Sequence, residues 1–287
     1  MSTVDALDEV VKRIEAAEAL DRLGKPLAAA VSRATRPALV KNALSGTWLG
    51  HQLHPLLTDL PIGSWVAATM LDFTGRGGGR RAARRLVGFG TLAAIPTALA
   101  GASDWSETYG PEQRDGVVHA LANLTAVSLQ AGSYLARRRG RAAAGAALSV
   151  GGLGLMTAAA YLGGHLTYIR GVGVNHAAFQ EDVTEWTDVG ALTDLPPGQP
   201  VAATAGGVPV VLVRGDDEVY ALSATCVHAG GPLAEGTLVD GSLRCPWHGS
   251  VFRLCDGKAL RGPAATAQPT WQVRVEDKRV QVRSAGA

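Results

Sequence analysis

The chain has 287 residues, three cysteines and a formal net charge of +2, with 47% hydrophobic but only 5% aromatic residues. This near-neutral balance gives no case for nucleic-acid binding, three cysteines make no disulfide framework, and the length sets a prior of one or two domains. Residues 1–180 carry 18 Lys/Arg against 12 Asp/Glu, residues 181–287 carry 9 against 13, and Ala, Leu and Val dominate the apolar content of the first 165. That asymmetry predicts two halves with different solvents, hence a multidomain membrane protein.

Residues 1–25 are rich in Asp and Glu and lack an apolar core, so no cleavable signal peptide is expected. Val4, Leu7, Val11 and Ile14 recur at helical spacing with charges between them. The spacing predicts an amphipathic helix within an N-terminal region 1–45, either packed as an ordinary helix or laid on a membrane surface or a partner. Four apolar segments follow, at 56–73, 86–102, 117–136 and 142–162, in a region bounded at 46 and 170. Each approaches the roughly 20 residues that cross a bilayer, although Asp59 and Asp72 weaken the first and only the fourth is both long and free of charge. Short connections favour an all-α, antiparallel four-helix transmembrane bundle, the competing reading being a buried soluble bundle. Gly145, Gly151, Gly152, Gly154 and Ala158 would let the fourth helix approach its neighbours closely.

Loop charge predicts an orientation. Arg76, Arg80, Arg81, Arg84 and Arg85, then Arg137, Arg138, Arg139 and Arg141, fall at one side, whereas Asp104, Glu107, Glu112 and Asp115 fall at the other beside a single Arg. The positive-inside rule places the arginines in the cytoplasm and both termini outside.

Five of the seven histidines, His51, His54, His119, His165 and His176, occur before residue 180. In an up-down bundle His54, His119 and His165 gather at one membrane face, where ionisable side chains are functional candidates. They could sandwich a haem b, hydrogen-bond a quinone head group with Asp59 or Asp104 taking protons, hold another metal, or be hydrogen-bonded interfacial residues. His51 and His176 fall in loops and read as solvated. The run His54-Pro55-Leu56-Leu57-Thr58-Asp59-Leu60-Pro61-Ile62-Gly63 resembles a bacterial family of four-helix membrane domains with no assigned function, over roughly residues 45–165.

A polar linker, 171–190, leads to the region 191–287. There 198–205, 208–214 and 218–224 alternate or run apolar between turns, with Asp216-Asp217 as a hairpin. Closing strands are expected at 251–254, 271–276 and 279–283, with Glu276-Asp277-Lys278 as a turn. This predicts a small all-β sandwich with loops held at its tip.

Two of those loops carry the chemistry. Cys226-Val227-His228 is answered, after sixteen intervening residues, by Cys245-Pro246-Trp247-His248-Gly249-Ser250. Two thiolates and two imidazoles suit either a tetrahedral Zn²⁺ or a [2Fe–2S] cluster with sulfur on one iron and nitrogen on the other. Zinc knuckles usually pair ligands of one type, C-x2-C or H-x3-H, whereas each loop here gives one Cys and one His. With Gly230-Gly231-Pro232-Leu233 after the first pair and Val251-Phe252 after the second, about the last hundred residues resemble the Rieske family. Gly262-Pro263-Ala264 is similar to that family's proline loop, which covers the cluster.

The resemblance implies that Cys226 and Cys245 bind the buried iron, and His228 and His248 the outer, redox-active one. It also implies that Ser250 donates a hydrogen bond to sulfur, while Phe252 stands where some relatives carry a Tyr. Gly231 and Trp247 occupy places that hold a disulfide in the Rieske proteins of quinol-oxidising complexes. An intermediate or low potential, nearer to Rieske ferredoxins, is therefore expected. Cys255 reads as a structural thiol. The run 137–141 loosely resembles the internal twin-arginine export signal of some actinobacterial Rieske proteins, although positive-inside anchoring explains the same arginines.

No His, His and carboxylate set for a mononuclear iron accompanies the motif, so the expected role is a membrane-anchored carrier of single electrons to or from a redox partner protein or quinone, rather than a self-contained enzyme. The alternatives are a subunit of a quinol-dependent or haem-containing oxidoreductase and an anchored redox sensor. The expected location is a bacterial inner membrane, with the Rieske half extracytoplasmic, and homo-oligomers are compatible with the sequence.

Overall fold

The computed structural model describes residues 3–74 and 78–285. Arg76 and the side chain of Val4 lie outside the described residues. The chain divides into two compact units, one formed by Met1–Thr35 with Leu53–Val172 and the other by Arg36–Gln52 with Gly173–Ala287. The second unit is thus discontinuous, and a segment that the sequence assigns to the N-terminal region belongs to it.

The first unit is helical. Helix α1 (Thr3–Ala16) carries Lys12–Asp8 and Arg13–Glu9 ion pairs outward and buries Val11, and helix α2 (Asp21–Ala34) buries Ala28. Both pack on the long helix Gly110–Arg138 within this unit, so α1 is an ordinary docked helix. Helix α3 (Ala38–Ser45) belongs to the second unit. Four long helices follow, α4 (Leu53–Thr74), α5 (Gly79–Trp105), α6 (Gly110–Arg138) and α7 (Ala142–Tyr168), with α4 packed mainly on α5 and α6 on α7.

Among the described residues, only α5 and α7 are long and apolar enough to cross a membrane by length and composition. The expected four-helix transmembrane bundle is therefore present as four helices, of which two have spanning character. Polar groups explain the difference. Helix α6 buries Gln113, Asp115, Gln130, Ser133 and Arg137. Across α6 and α7, Gln130 Nε2 donates to the Ser149 backbone O, Ser149 Oγ donates to Gln130 Oε1, and Ser133 Oγ donates to Gly145 O at 2.7 Å. The expected small-residue contact holds at Gly145 and Gly152, where an added Cβ would come within 2.5 Å of Arg137 and 2.9 Å of Gln130, but not at Gly154, which meets nothing within 4 Å.

The arginines sit differently from their expected loop positions. Arg80, Arg81, Arg84 and Arg85 lie in the first turns of α5, and Arg137 and Arg138 end α6. Arg137 forms a bidentate pair with Asp72, NH1 to Oδ1 at 2.6 Å and NH2 to Oδ2 at 2.5 Å, with both side chains nearly inaccessible. This pairing neutralises the carboxylate that weakens the first apolar segment.

The second unit contains a six-stranded antiparallel sheet ordered β1-β10-β9-β4-β3-β2 and a four-stranded one ordered β5-β6-β7-β8. The expected strands correspond to β2 (Pro200–Ala205), β3 (Val208–Arg214), β4 (Val219–Ser223), β7 (Val251–Arg253), β9 (Thr270–Glu276) and β10 (Arg279–Ser284). Four further strands, β1 (Thr187–Ala191), β5 (Thr237–Val239), β6 (Ser242–Arg244) and β8 (Ala259–Arg261), are short and come from pairing rather than local propensity.

Strand β3 shows why the unit has two cores. Its run of valines and leucine is apolar on both faces, so Val211 and Val213 join the core around Cys226, Cys245 and Phe252, while Val210 and Leu212 join a second one with Trp271, Val280 and Val282. The turn between β9 and β10 is a two-residue hairpin with positive φ at both Asp277 and Lys278, 50° and 63°.

Candidate metal centre

The two motif loops are built on one hydrogen-bond plan. In the first, Cys226 N donates to Gly231 O and Gly230 N donates to Cys226 O; in the second, Cys245 N donates to Ser250 O and Gly249 N to Cys245 O. Each loop therefore closes at its fourth and fifth residues beyond the cysteine. The closing glycines, Gly230 and Gly249, have φ of +76° and +71°, which a side chain would strain. Backbone N–H groups two and three residues on then face each sulfur, His228 and Ala229 toward Cys226, Trp247 and His248 toward Cys245.

The cysteines are buried, 1% and 3% exposed, whereas the two histidines are half-buried with ring centroids 4.9 Å apart. The thiols share a hydrogen bond. Cys245 is lowered to about 6, first by Cys226 and then by its backbone donors, while Cys226 is pushed up by the same shared proton and by burial. Burial, and then the neighbouring charges of His248, Lys41 and His176, lower His228 to about 3. At neutral pH the site thus offers a neutral imidazole and an easily formed thiolate, the states that metals bind.

On a single Zn²⁺, bonds of about 2.0–2.3 Å bring all donors within about 4 Å of one another. Among the described residues, no three of these four donors gather within 4.8 Å of one another. Sulfur and nitrogen donors set apart in pairs fit a [2Fe–2S] group, with Cys226 and Cys245 at one end and His228 and His248 at the other. Gly231 is part of the cradle, since an added Cβ would meet Cys245 Sγ at 2.9 Å and the Trp247 ring at 3.2 Å. Gly231 and Trp247, the two disulfide replacements, thus pack on each other and join the loops by contact.

Ser250 is fully buried and its Oγ accepts from Ala264 N at 3.0 Å, leaving its own proton to donate. Phe252 is fully buried in the cysteine core. Gly262 and Pro263 are buried beside Ala264, their peptide bond is cis, and Arg261 NH1 ties this loop to the second motif loop through Gly249 O at 2.9 Å.

Three further positioning elements carry no motif in the sequence. Gln268 is 1% exposed, accepts from Val227 N and donates to Ser223 O and Thr225 O, so one amide fixes the first loop to its sheet. His176 is exposed, as expected of a loop residue, yet its ring lies near Gly230 and its backbone N donates to Val227 O at 3.1 Å. Helix α3 with its flanking residues is the third: Asn42 Nδ2 donates to Leu260 O and its Oδ1 accepts from Gly262 N, while outside the helix Thr47 Oγ1 donates to Ala264 O and Arg261 NH2 donates to Arg36 O. Asn42→Ala removes two bonds holding the proline loop. A loss of about 1–3 kcal/mol is expected, read as a lower thermal midpoint and faster bleaching of the visible absorbance.

The histidines expected to gather in the helical half differ in their partners. His54 Nδ1 bonds to Thr97 O at 2.9 Å and His119 Nδ1 to Ala159 O at 2.8 Å. Gly101 and Gly163, each four residues beyond the bonded carbonyl, leave room for the rings, because added Cβ atoms would lie 2.6 Å from His54 Cε1 and 3.1 Å from His119 Cε1. The α4/α5 and α6/α7 pairs thus repeat one histidine cradle. His165 instead faces Glu15, with Nε2 at 3.2 Å from Oε1. His51 is exposed, as expected of a loop residue, and its Nδ1 bonds to Gln52 O.

Comparison with known proteins follows the same division. Residues 185–272 match the Rieske [2Fe-2S] domain and residues 50–176 match "Predicted membrane protein (DUF2231)". The ferredoxin component of the naphthalene 1,2-dioxygenase/salicylate 5-hydroxylase systems of Ralstonia sp is 32% identical over 34% of this chain and 94% of its own length. Human apoptosis-inducing factor 3 is 37% identical over 32% of this chain, and the chain spans only 15% of that relative. The solved ferredoxin of carbazole 1,9a-dioxygenase from Nocardioides aromaticivorans IC177 is 29% identical over 35% of this chain and 99% of its own, with a TM-score of 0.34. Through residues 185–272 the chain belongs to the Rieske [2Fe–2S] family, and a DUF2231 membrane-protein domain precedes that part.

Proposed function

We propose that the protein is a membrane-anchored one-electron carrier in which Cys226 and Cys245 hold the inner iron and His228 and His248 the outer iron of a [2Fe–2S] cluster. The observation that carries this reading is the pair of matched loops with buried thiols and half-buried, adjacent imidazoles. Bound there, the cluster stores a single electron. The chain's own residues keep the cysteine side dry, aim backbone N–H groups at both sulfurs, and leave the histidine edges open. Trp247, 56% exposed beside His248, supplies an aromatic surface for a redox partner protein. Relatives named as ferredoxin components of dioxygenase systems support an oxygenase-type partner. Reductive titration should take up one electron per two irons; uptake of none would overturn the carrier reading.

The helical half anchors the carrier as a multi-pass domain of the inner membrane, with the Rieske half outside. The apolar α5 and α7 support the anchor, and the gathering of Arg80, Arg81, Arg84 and Arg137 around one cleft supports the orientation. A periplasm-active reporter fused at the C-terminus should be active; activity of only a cytoplasm-active reporter would reverse the topology.

A second reading, a quinol-dependent or haem-containing oxidoreductase subunit, is favoured by the repeated cradle at His54 and His119. With Nδ1 donating to a carbonyl, His54 would present Nε2 to a haem or a quinone, whereas His119 Nε2 accepts from Asn123 Nδ2 at 3.1 Å and would have to exchange that bond for the ligand. His165 stands apart from that pair in its partners.

A further inference from the structure

A third set of donors lies in the helical unit, at the junction of α1, α6 and α7. Glu15 comes from the last turn of α1, Asp115 from the start of α6 and His165 from the end of α7. Their donor atoms all lie within 4.8 Å of one another, with His165 Nε2 at 3.2 Å from Glu15 Oε1 and 4.0 Å from Asp115 Oδ2.

Asp115 makes the cluster more than a group of acids. It is fully buried, and among the described residues neither of its carboxylate oxygens has a hydrogen-bond partner. A buried carboxylate without donors is strongly unfavourable unless a cation or a proton meets it. The surroundings hold it in place: the adjacent Arg114 grips Asp21 through two bonds and donates to Glu15 O at 2.6 Å, which fixes the turn carrying Glu15. Arg170 is the competing cation. It contacts Glu15 Oε1 at 2.5 Å and Glu112 at 3.9 Å, on the Glu15 side of the cluster, and it leaves Asp115 unbonded. Three carboxylates, Glu15, Glu112 and Asp115, against one guanidinium leave room for two positive charges.

We infer that Glu15, Asp115 and His165 form a divalent-cation site that fastens α1 to the ends of α6 and α7. Two carboxylates and one imidazole suit Mn²⁺, Fe²⁺ or Zn²⁺ rather than a soft metal. The donors need to draw in by roughly 1 Å to reach the edge lengths that bonds of about 2.0–2.2 Å impose, and Nε2 must give up its hydrogen to the other ring nitrogen or to solvent.

The test uses the full chain in detergent, stripped with EDTA, dialysed against Mn²⁺ and analysed for metal. One Mn²⁺ per chain is expected, with a rise in the unfolding midpoint. Asp115→Asn and His165→Gln should each lose the Mn²⁺ and the rise while keeping the iron of the C-terminal half. Where a variant fails to fold, Glu15→Gln serves in its place. Wild type that takes up no Mn²⁺ or Zn²⁺ at millimolar concentration, or Asp115→Asn that keeps full binding, overturns the site and leaves a protonated Asp115 as its explanation.

Discussion

Cys245→Ser should yield a folded but colourless protein, with iron falling from about two per chain to near zero. The reason is positional. Cys245 is held by its own backbone bond to Ser250 O, faces Cys226, and is the thiol lowered to about 6. A serine hydroxyl keeps the shape but stays protonated, and it cannot supply the thiolate that iron requires. Cys255→Ser is the matched control, because that thiol is exposed and away from the buried pair, and iron content should not change. Full iron in Cys245→Ser would remove that residue from the ligand set.

The second large effect concerns potential. Hydrogen bonds to sulfur stabilise the reduced, more negative state, and one such bond contributes about 1.5 kcal/mol. For one electron, a tenfold change in equilibrium corresponds to about 59 mV, so a bond gained or lost should move the midpoint by about 60 mV. Ser250→Ala should lower the midpoint by that amount. It also strands Ala264 N, whose acceptor is Ser250 Oγ, so the thermal midpoint should fall in parallel. Phe252→Tyr should raise the potential, since Phe252 shares the core with both cysteines. A midpoint unchanged by both substitutions would show that hydroxyl donors do not tune this site.

What the sequence made legible was what lies close together in it. The two Cys/His loops, their glycines and the hairpin at Asp277-Lys278 follow from local rules, and so do the long strands. Long-range pairing hid the rest. Asn42 sits 218 residues from Leu260 and reads as an ordinary polar residue of a short helix, yet it holds the proline loop. Gln268 has no periodicity to mark it, and its value lies in three bonds to separate stretches. Arg137 looked like loop charge because its partner, Asp72, is 65 residues away. The three histidines expected at one membrane face lie near the matching ends of α4, α6 and α7 but differ in their partners, because helical spacing fixes depth and not azimuth. His54 and His119 occupy glycine cradles, whereas His165 points to α1.

The central claim is that the two loops hold a [2Fe–2S] cluster with mixed sulfur and nitrogen ligation. Iron and acid-labile sulfide analysis of the detergent-purified full chain, with optical spectra before and after dithionite, tests it most directly. Two irons and two sulfides per chain, with visible bands that bleach on reduction, is the predicted result. A colourless protein with stoichiometric zinc and no sulfide would contradict it.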